Sequence, residues 1–123
     1  MKSYITKENK MIDIQARNFT LTNAIKTHTE QKLEPMLHHF GDRILKVIVH
    51  LSDDNGPKGG VDKHCHIHVE MKKLPTVVIE DLEENLYAAI DLATHRAERA
   101  VRKTLEKAQT KARKVDKSVV LDG

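Results

Sequence analysis

The sequence predicts an α+β fold in the order βαβββα, with a four-stranded sheet and two helices packed on one face of it. Two observations predict this class. Four short stretches alternate between apolar and polar residues, which is the period of a half-buried strand. Two longer stretches repeat their apolar residues every three or four positions, as an amphipathic helix does. A single sheet with both helices on its apolar face lets all six elements share one core.

The composition indicates one small domain. The chain has 123 residues, of which 39% are hydrophobic, so it can bury one modest core. We expect residues 1–10 to form a flexible N-terminal arm, residues 11–113 to form the single domain, and residues 114–123 to form a short C-terminal tail. The lone Cys65 excludes an internal disulfide, and no apolar run is long enough for a membrane span or a signal peptide. These features favour a reducing, cytoplasmic setting.

The first part of the predicted domain is a strand followed by a helix. Met11–Ala16 alternates in the manner of a strand. Thr22 is placed to cap the following helix at its N-terminus, and Gly41 is placed to end it. Pro35 lies within this helix and should kink or shorten it, because proline lacks the backbone donor and clashes with the preceding turn.

The middle of the chain predicts three more strands. Ile44–Leu51 is the second strand, with its inward residues expected to be Leu45, Val47, Val49 and Leu51. His64–Met71 is the third, and it follows a glycine-rich hairpin loop over Asp53–Lys63 that we expect to be mobile. Val77 and Ile79 mark a short fourth strand.

The residues from Asp81 to about Arg113 predict one long helix. Asp81 with Glu84 three residues later matches a capping box, and no Gly or Pro interrupts the residues that follow. The apolar stripe consists of Leu82, Leu86, Ile90, Ala93, Ala97, Val101, Leu105 and Ala108. The helix should fray before Lys114, since a longer helix would project beyond so small a domain.

Basic residues gather beside that apolar stripe. Roughly a quarter turn from it, at about 100° per residue, lie Arg96, Arg99, Lys103, Lys107 and Lys111, with Arg102 further round. The helix dipole alone favours acids first and bases last, and a run of charge is often only a solvated face. However, the bases outnumber what the dipole requires and share one edge, which favours a binding face for a polyanion. A net charge of +3 and a pI near 9.0 permit such binding where the excess is concentrated.

Histidines line the polar face of the third predicted strand. His64, His66 and His68 are too nearly collinear for all three to reach one metal ion, and Cys65 points to the opposite face. Two of these histidines together with His50 of the neighbouring strand form the alternative metal-ligand set. A solvated face is favoured over that alternative, so we predict no metal.

The sequence contains no recognisable catalytic or cofactor-binding motif. It lacks a P-loop, a glycine-rich dinucleotide turn, a nucleophile elbow and the kinase motifs. Cys65 has no neighbouring base to activate it and is expected to be a packed core thiol. We therefore expect no enzyme, no cofactor and no small-molecule substrate.

The charge pattern favours contact with the phosphate backbone of structured RNA. Only two Phe and two Tyr occur, and no pair of strand-borne rings is available to stack bases. The double-stranded-RNA binding domain has a similar layout, but it presents lysines where this helix begins with Asp81, Glu83 and Glu84. The remaining contacts are with phosphates, from the later part of the last helix and from Lys26 and Lys32 of the first.

Three segments carry a resemblance to a known family. They are MIDIQARNFTLTNAIKTHTEQKL, FGDRILKVIVHL and, above all, ENLYAAIDLATHRAERAVRK. Over roughly residues 11–107 the chain resembles the ribosome hibernation promoting factors, also called ribosome-associated inhibitor or sigma-54 modulation proteins. The resemblance implies the βαβββα fold, binding to the small ribosomal subunit at the decoding region, and a block on mRNA and tRNA during stress or stationary phase. It implies no catalysis.

The resemblance also implies an RNA-facing set of residues. These are Lys26, Lys32, Arg96, Arg99, Lys103 and Lys107, to which the charge pattern adds Arg102. The implied partners are the 16S rRNA of the small subunit and, for the short members that form ribosome dimers, a separate ribosome modulation factor. The resemblance places the sequence with the short members, so we expect neither the C-terminal domain of the long members nor the acidic tail of the inhibitor-type members. The sequence also has no match to a further lysine that many members have around Glu34 and Pro35. Whether it promotes dimers or silences single ribosomes stays open.

Two other functions fit the same residues. One is a protein-interaction module that holds a partner such as a sigma factor, through the acidic face of the long helix or the histidine-lined face of the sheet. The other is a metal-sensing domain built on His50, His64, His66 and His68. Steep loss of affinity with salt would favour RNA over a protein partner, and stabilisation by added zinc would favour the metal sensor.

Overall fold

The computed structural model describes residues 2–5, 11–54 and 61–122, with side chains described over residues 12–54 and 61–111. Five strands form one sheet in the order β1-β2-β3-β4-β5, and two helices accompany it. The elements are β1 Lys2–Ile5, β2 Met11–Arg17, α1 Asn23–Phe40, β3 Ile44–Asp53, β4 Lys63–Met71, β5 Val77–Glu83 and α2 Leu86–Asp122. A short 3₁₀ turn over Gly41–Arg43 joins α1 to β3. The predicted α+β class and the βαβββα order from β2 onward are confirmed.

The first strand differs from the loose arm expected over residues 1–10. Lys2–Ile5 pairs antiparallel with β2, from Lys2 opposite Ile14 to Ile5 opposite Met11. The sheet therefore has five strands where four were expected. So short an edge strand can form through backbone hydrogen bonds to β2 without an apolar pattern of its own, which is why the sequence did not reveal it. Residues 1 and 6–10 lie outside the described part.

The other strand pairs make a mixed sheet around one core. β2 and β3 run parallel, and β3, β4 and β5 pair antiparallel in turn. Alternate residues of β2, β3 and β4 are fully buried under the two helices, including Ile12, Ile14, Val47, Val49, Leu51, Cys65, Ile67 and Val69. From α1 the core takes Ile25, Leu33, Met36 and Leu37, and from α2 it takes Ala89, Ile90, Ala93, Ala97 and Val101. The opposite face of the sheet carries no helix in the described residues.

The start of β3 corrects one predicted core position. Leu45 was expected to point inward, but 54% of its surface is exposed, and Ile44 is buried in its place. The register with β4 shifts between Ile44 and Lys46, which marks a β-bulge. Because one extra residue reverses the alternation, Val47 and Val49 still point inward as predicted.

Helix α1 has the predicted ends. The hydroxyl oxygen of Thr22 accepts a hydrogen bond from the backbone N–H of Ile25 at 3.2 Å, and Gly41 forms the C-cap. Pro35 does not shorten the helix, which runs through it from Asn23 to Phe40. The proline ring lies on the exposed side, so its missing donor costs the helix one hydrogen bond and leaves the packed side intact.

Helix α2 begins later and ends later than the sequence predicts. The capping box is wrong, because Asp81 and Leu82 belong to β5, where Asp81 pairs with Cys65 of β4. The side chain of Asn85 caps the helix instead, accepting from the backbone N–H of Ala88 at 3.2 Å. At the other end the helix does not fray before Lys114 but continues to Asp122, since neither Gly nor Pro interrupts it.

The hairpin between β3 and β4 is described only at its base. There the backbone N–H of Asp54 donates to the carbonyl oxygen of Asp62 at 3.2 Å, and the Lys63 ammonium lies 3.0 Å from Asp53 and 2.7 Å from Asp62. These hydrogen bonds raise the pKa of Lys63. The expected mobility of the loop concerns mainly residues 55–60, which lie outside the described residues.

Candidate nucleic-acid interface

Helix α2 carries a row of exposed bases along one edge. The helix packs on the sheet through a line of buried residues that runs from Ile90 through Ala97 to Val101. At about 100° per residue, four basic side chains fall within about a quarter of the helix circumference, on the side turned away from that line. They are Arg96, Arg99, Lys103 and Lys107, and all four are exposed. We call this set the α2 basic row.

Three members of the α2 basic row, Arg99, Lys103 and Lys107, face solvent. Arg99, Lys103 and Lys107 form no ion pair with any side chain within residues 12–54 and 61–111. Lys111 is also exposed and extends the same edge by one turn. Unpaired cations spaced along a rigid helix suit a ligand with regularly spaced negative charges, such as a nucleic-acid backbone.

Arg96, the fourth member, already forms an ion pair and a hydrogen bond within the protein. Its Nη1 donates to Asp81 Oδ2 at 2.9 Å and to the carbonyl oxygen of Glu80 at 2.8 Å. Asp81 is placed for this contact because the alternation of β5 turns it toward the helices, where only 14% of its side chain is exposed. Arg96 therefore ties α2 to the edge of the sheet, and a ligand would have to share it with Asp81.

The opposite flank of α2 packs against α1 through a polar cluster. His28 Nε2 of α1 lies 2.6 Å from Asp91 Oδ1 of α2, and the imidazole meets the ring of Tyr87 edge-on at 4.7 Å between centroids. Lys32 Nζ is 3.8 Å from the same carboxylate oxygen. Asp91 therefore offsets part of the charge of Lys32, and this lysine lies beside the junction of the two helices.

Arg102 belongs to this second flank. Its guanidinium carbon lies 5.6 Å from the centroid of the Phe40 ring, close enough for a cation–π contact with α1. Its Nη2 is also 4.0 Å from Glu98 one turn earlier. The contact with Phe40 places the side chain beside α1, away from the α2 basic row.

Lys26 lies on a third side. It is six residues before Lys32, so the two side chains leave α1 about 120° apart. Lys26 is half-buried and close to Glu30. Burial raises the pKa of that carboxyl group, the positive charge of Lys26 opposes the rise, and Glu34 adds to it.

The structure thus divides the seven predicted residues into three places. The α2 basic row faces solvent on the β5 side, Lys32 and Arg102 lie at the junction of the helices, and Lys26 lies on the far flank of α1. The sequence reasoning missed the tie between Arg96 and Asp81. Nothing in the local pattern signals it, because Asp81 was assigned to the wrong element.

The histidines lie on the other face of the sheet. His64 is drawn toward the hairpin, with its Nε2 2.9 Å from Asp54 Oδ2. His50, His66 and His68 instead gather together, as the alternative ligand set anticipated. As they stand, no three His, Cys, Asp or Glu side chains of the described chain are arranged around a metal ion. Cys65 is buried in the core, as predicted.

Comparison with known proteins decides the family. The family described as "Sigma 54 modulation protein / S30EA ribosomal protein" matches residues 12–109. The chain belongs to this family. Its members are not enzymes, which agrees with the absence of a catalytic motif in the sequence. The match runs from β2 through residue 109 of α2, and so it includes the α2 basic row.

Relatives of this S30EA family member include two named proteins. It is 39% identical over 95 residues to a ribosome hibernation promotion factor of Picosynechococcus, covering 76% of this chain and 48% of the relative. It is 27% identical over 101 residues to a ribosome hibernation promotion factor of Staphylococcus aureus, covering 82% of this chain and 51% of the relative. The chain therefore spans about half the length of these two relatives.

A solved structure shows the same fold. The N-terminal domain of Protein Y from Thermus thermophilus superposes with a TM-score of 0.62 at 30% identity, covering 74% of this chain and 93% of that one. The similarity confirms the predicted arrangement of sheet and helices for this family member. Among the described residues, no helix combines the length and the apolar character that crossing a membrane requires.

Proposed function

We propose that this chain is a non-enzymatic factor that binds the small ribosomal subunit at the decoding region and silences translation. The observation that carries the proposal is the run of exposed cations Arg99, Lys103 and Lys107 on α2, which have no ion-pair partner among the described side chains. Membership of the S30EA family and the names of the relatives support a ribosomal ligand. The ligand within the subunit would be 16S rRNA, met in the cytoplasm during stress or stationary phase.

The binding mode follows from what the helices present. Tyr87 is the exposed aromatic residue of α2, and it is held edge-on to His28, so base stacking contributes little. The α2 basic row would instead neutralise phosphates, with Lys32 and Arg102 contacting a second strand of the same RNA at the helix junction. Seated in the decoding region, residues 11–113 would occupy the space that mRNA and the anticodon stems of tRNA require. Blocking the site in this way requires no catalytic step.

Sedimentation with purified small subunits tests the proposal. The wild-type chain should migrate with the small subunit at low salt and be released at high salt. Replacing Arg99, Lys103 and Lys107 together by Glu should abolish co-migration. Arg96 is left unchanged, since its replacement would also break the tie to Asp81.

A matched control has the same change in charge at another surface. Arg43, Lys72 and Lys73 are exposed where β3 begins and β4 ends, and the triple Glu variant there should co-migrate like the wild type. Equal loss of binding in both variants would show that net charge matters and not the α2 basic row. Co-migration of the α2 variant at wild-type strength would refute the proposed site. A fast dimer peak with whole ribosomes would assign dimer promotion, either alone or with a separate modulation factor.

A protein-interaction module is the second candidate, favoured by one observation. Val78 and Leu82 of β5 are 52% and 41% exposed on the helix-free face of the sheet. Such residues suit a contact with a protein such as a sigma factor. A contact of that kind would survive high salt and would be lost on replacing Val78 by Lys, whereas subunit binding would not respond to that change.

A further inference from the structure

The helix-free face of the sheet brings three imidazoles together. Strand pairing sets Glu80 of β5, His66 of β4 and His50 of β3 side by side in one row across the sheet. His68 follows two residues after His66 and so points to the same face. These four residues line a recess of about 720 Å³ on this side of the molecule.

The three rings lie near the spacing that a shared metal ion would require. The ring centroids of His66 and His68 are 4.6 Å apart, and His50 lies 6.3 Å from His66 and 6.2 Å from His68. A zinc ion bound to three imidazoles at Zn–N distances of about 2.0–2.1 Å holds their ring centroids about 5 Å apart. The His66–His68 separation is close to that value, and the two separations from His50 are longer, so His50 would have to move toward the other two rings on binding.

We propose that His50, His66 and His68 bind a single zinc ion, with Glu80 or water as the fourth ligand. Three neutral nitrogen ligands and one oxygen ligand make up a four-coordinate zinc site, which is closed if Glu80 is the fourth ligand and keeps an exchangeable position if water is. In their present orientations no three of the described His, Cys, Asp or Glu side chains could hold a metal ion, so binding requires these rings to turn. Their second side-chain torsion is soft, so the ion can turn them inward without moving the strands.

The residues around the three histidines favour a bound cation over a face that is only solvated. Glu80 lies beside His66 in the row, and Glu70 lies close enough to His68 to act on its charge. His66 and His68 are half-buried, so fewer waters compete for their nitrogens than at an exposed site. His64 takes no part, because Asp54 holds it at 2.9 Å. The site faces away from α1 and α2, so it does not depend on the proposed ribosomal function.

Calorimetric titration of the full chain without a polyhistidine tag with zinc chloride tests the site. We expect one ion per chain for the wild type. His66→Gln and His50→Gln should each weaken binding at least about tenfold, since even changes outside the ligand shell cost that much. His64→Gln is the matched control on the same strand and face, and it should bind like the wild type. Cobalt should give the intense visible bands of a tetrahedral nitrogen site in the wild type and lose them in His66→Gln.

Two results would overturn the proposal. One is the absence of saturable zinc binding by the wild type. The other is binding that survives His66→Gln but is lost when His38 and His39 are replaced together, since those two rings also lie near each other, at 5.7 Å. Circular dichroism checks that each variant folds. If a variant does not fold, the imidazole proton resonances of the wild type decide: zinc must shift those of His50, His66 and His68 and leave His64 unchanged.

Discussion

Arg96 of α2 and Asp81 of β5 form a side-chain ion pair of 2.9 Å across the edge of the core, and the same guanidinium donates to the carbonyl oxygen of Glu80. This contact joins the long helix to the last strand. It also means that one of the four basic residues of the α2 basic row, Arg96, already has an acidic partner. The row therefore has two kinds of member: the anchored Arg96, and three cations without an ion-pair partner among the described side chains, Arg99, Lys103 and Lys107.

The first prediction separates these two roles. Arg96→Gln should lower the free energy of unfolding by no more than about 1 kcal/mol, because half of the side chain is exposed and solvent screens the pair. It should weaken subunit binding less than Arg99→Gln does. Urea denaturation and co-sedimentation measure the two effects. Asp81→Asn is the control: it should cost similar stability, and the double variant should cost less than the sum of the two. A larger loss of binding for Arg96→Gln than for Arg99→Gln would contradict this division.

The second prediction concerns the salt dependence of binding. Each phosphate contact contributes about 0.7–0.9 to the slope of log affinity against log salt concentration. Replacing Arg99, Lys103 and Lys107 by Gln should therefore reduce the slope by about 2–3. The measurement is affinity for small subunits at four or more salt concentrations. The neutral triple variant at Arg43, Lys72 and Lys73 should keep the wild-type slope, and an unchanged slope in the first variant would mean that its three cations do not meet phosphates.

The third prediction concerns Pro35 in α1. The proline lacks the N–H that would bond to the carbonyl of Gln31, and its side chain is exposed. Pro35→Ala should raise the free energy of unfolding by about 2 kcal/mol, after allowing for the greater freedom of the unfolded chain. Gln31→Ala, also exposed on α1, should change it by no more than about 0.5 kcal/mol. A loss of stability in the proline variant would show that the ring makes a contribution that outweighs its missing donor.

The fourth prediction concerns the thiol of Cys65. Burial raises its pKa to about 12, and the negative charge of Asp81 adds to the rise, so the group is protonated at pH 8. Alkylation by iodoacetamide at that pH should be slow in the native chain and fast in urea, because only the thiolate reacts. Mass spectrometry follows the reaction. Rapid labelling of the native chain would show that β4 opens readily and would contradict a closed core.

The sequence alone determined most of the fold. Period-two alternation in β2, β3 and β4 and the apolar stripes of both helices are local consequences of which side chains must leave water, so they can be counted along the chain. The cap at Thr22 is equally local, because it needs only one side chain and a backbone donor three residues on. The exposed bases of the α2 basic row follow from the same helical period.

Tertiary structure decided what depends on pairing between distant segments. The edge strand β1 forms because β2 offers it free backbone groups, and β5 retains Asp81 because β4 pairs with it through Glu83. That register turns Asp81 toward Arg96, and the register between β3 and β4 sets His50 beside His66. The side-chain period can be read from one segment alone. The register of a strand pair depends on two segments, and it is set only when they pack together. For this reason the basic row could be predicted from the sequence, and the anchoring of Arg96 could not.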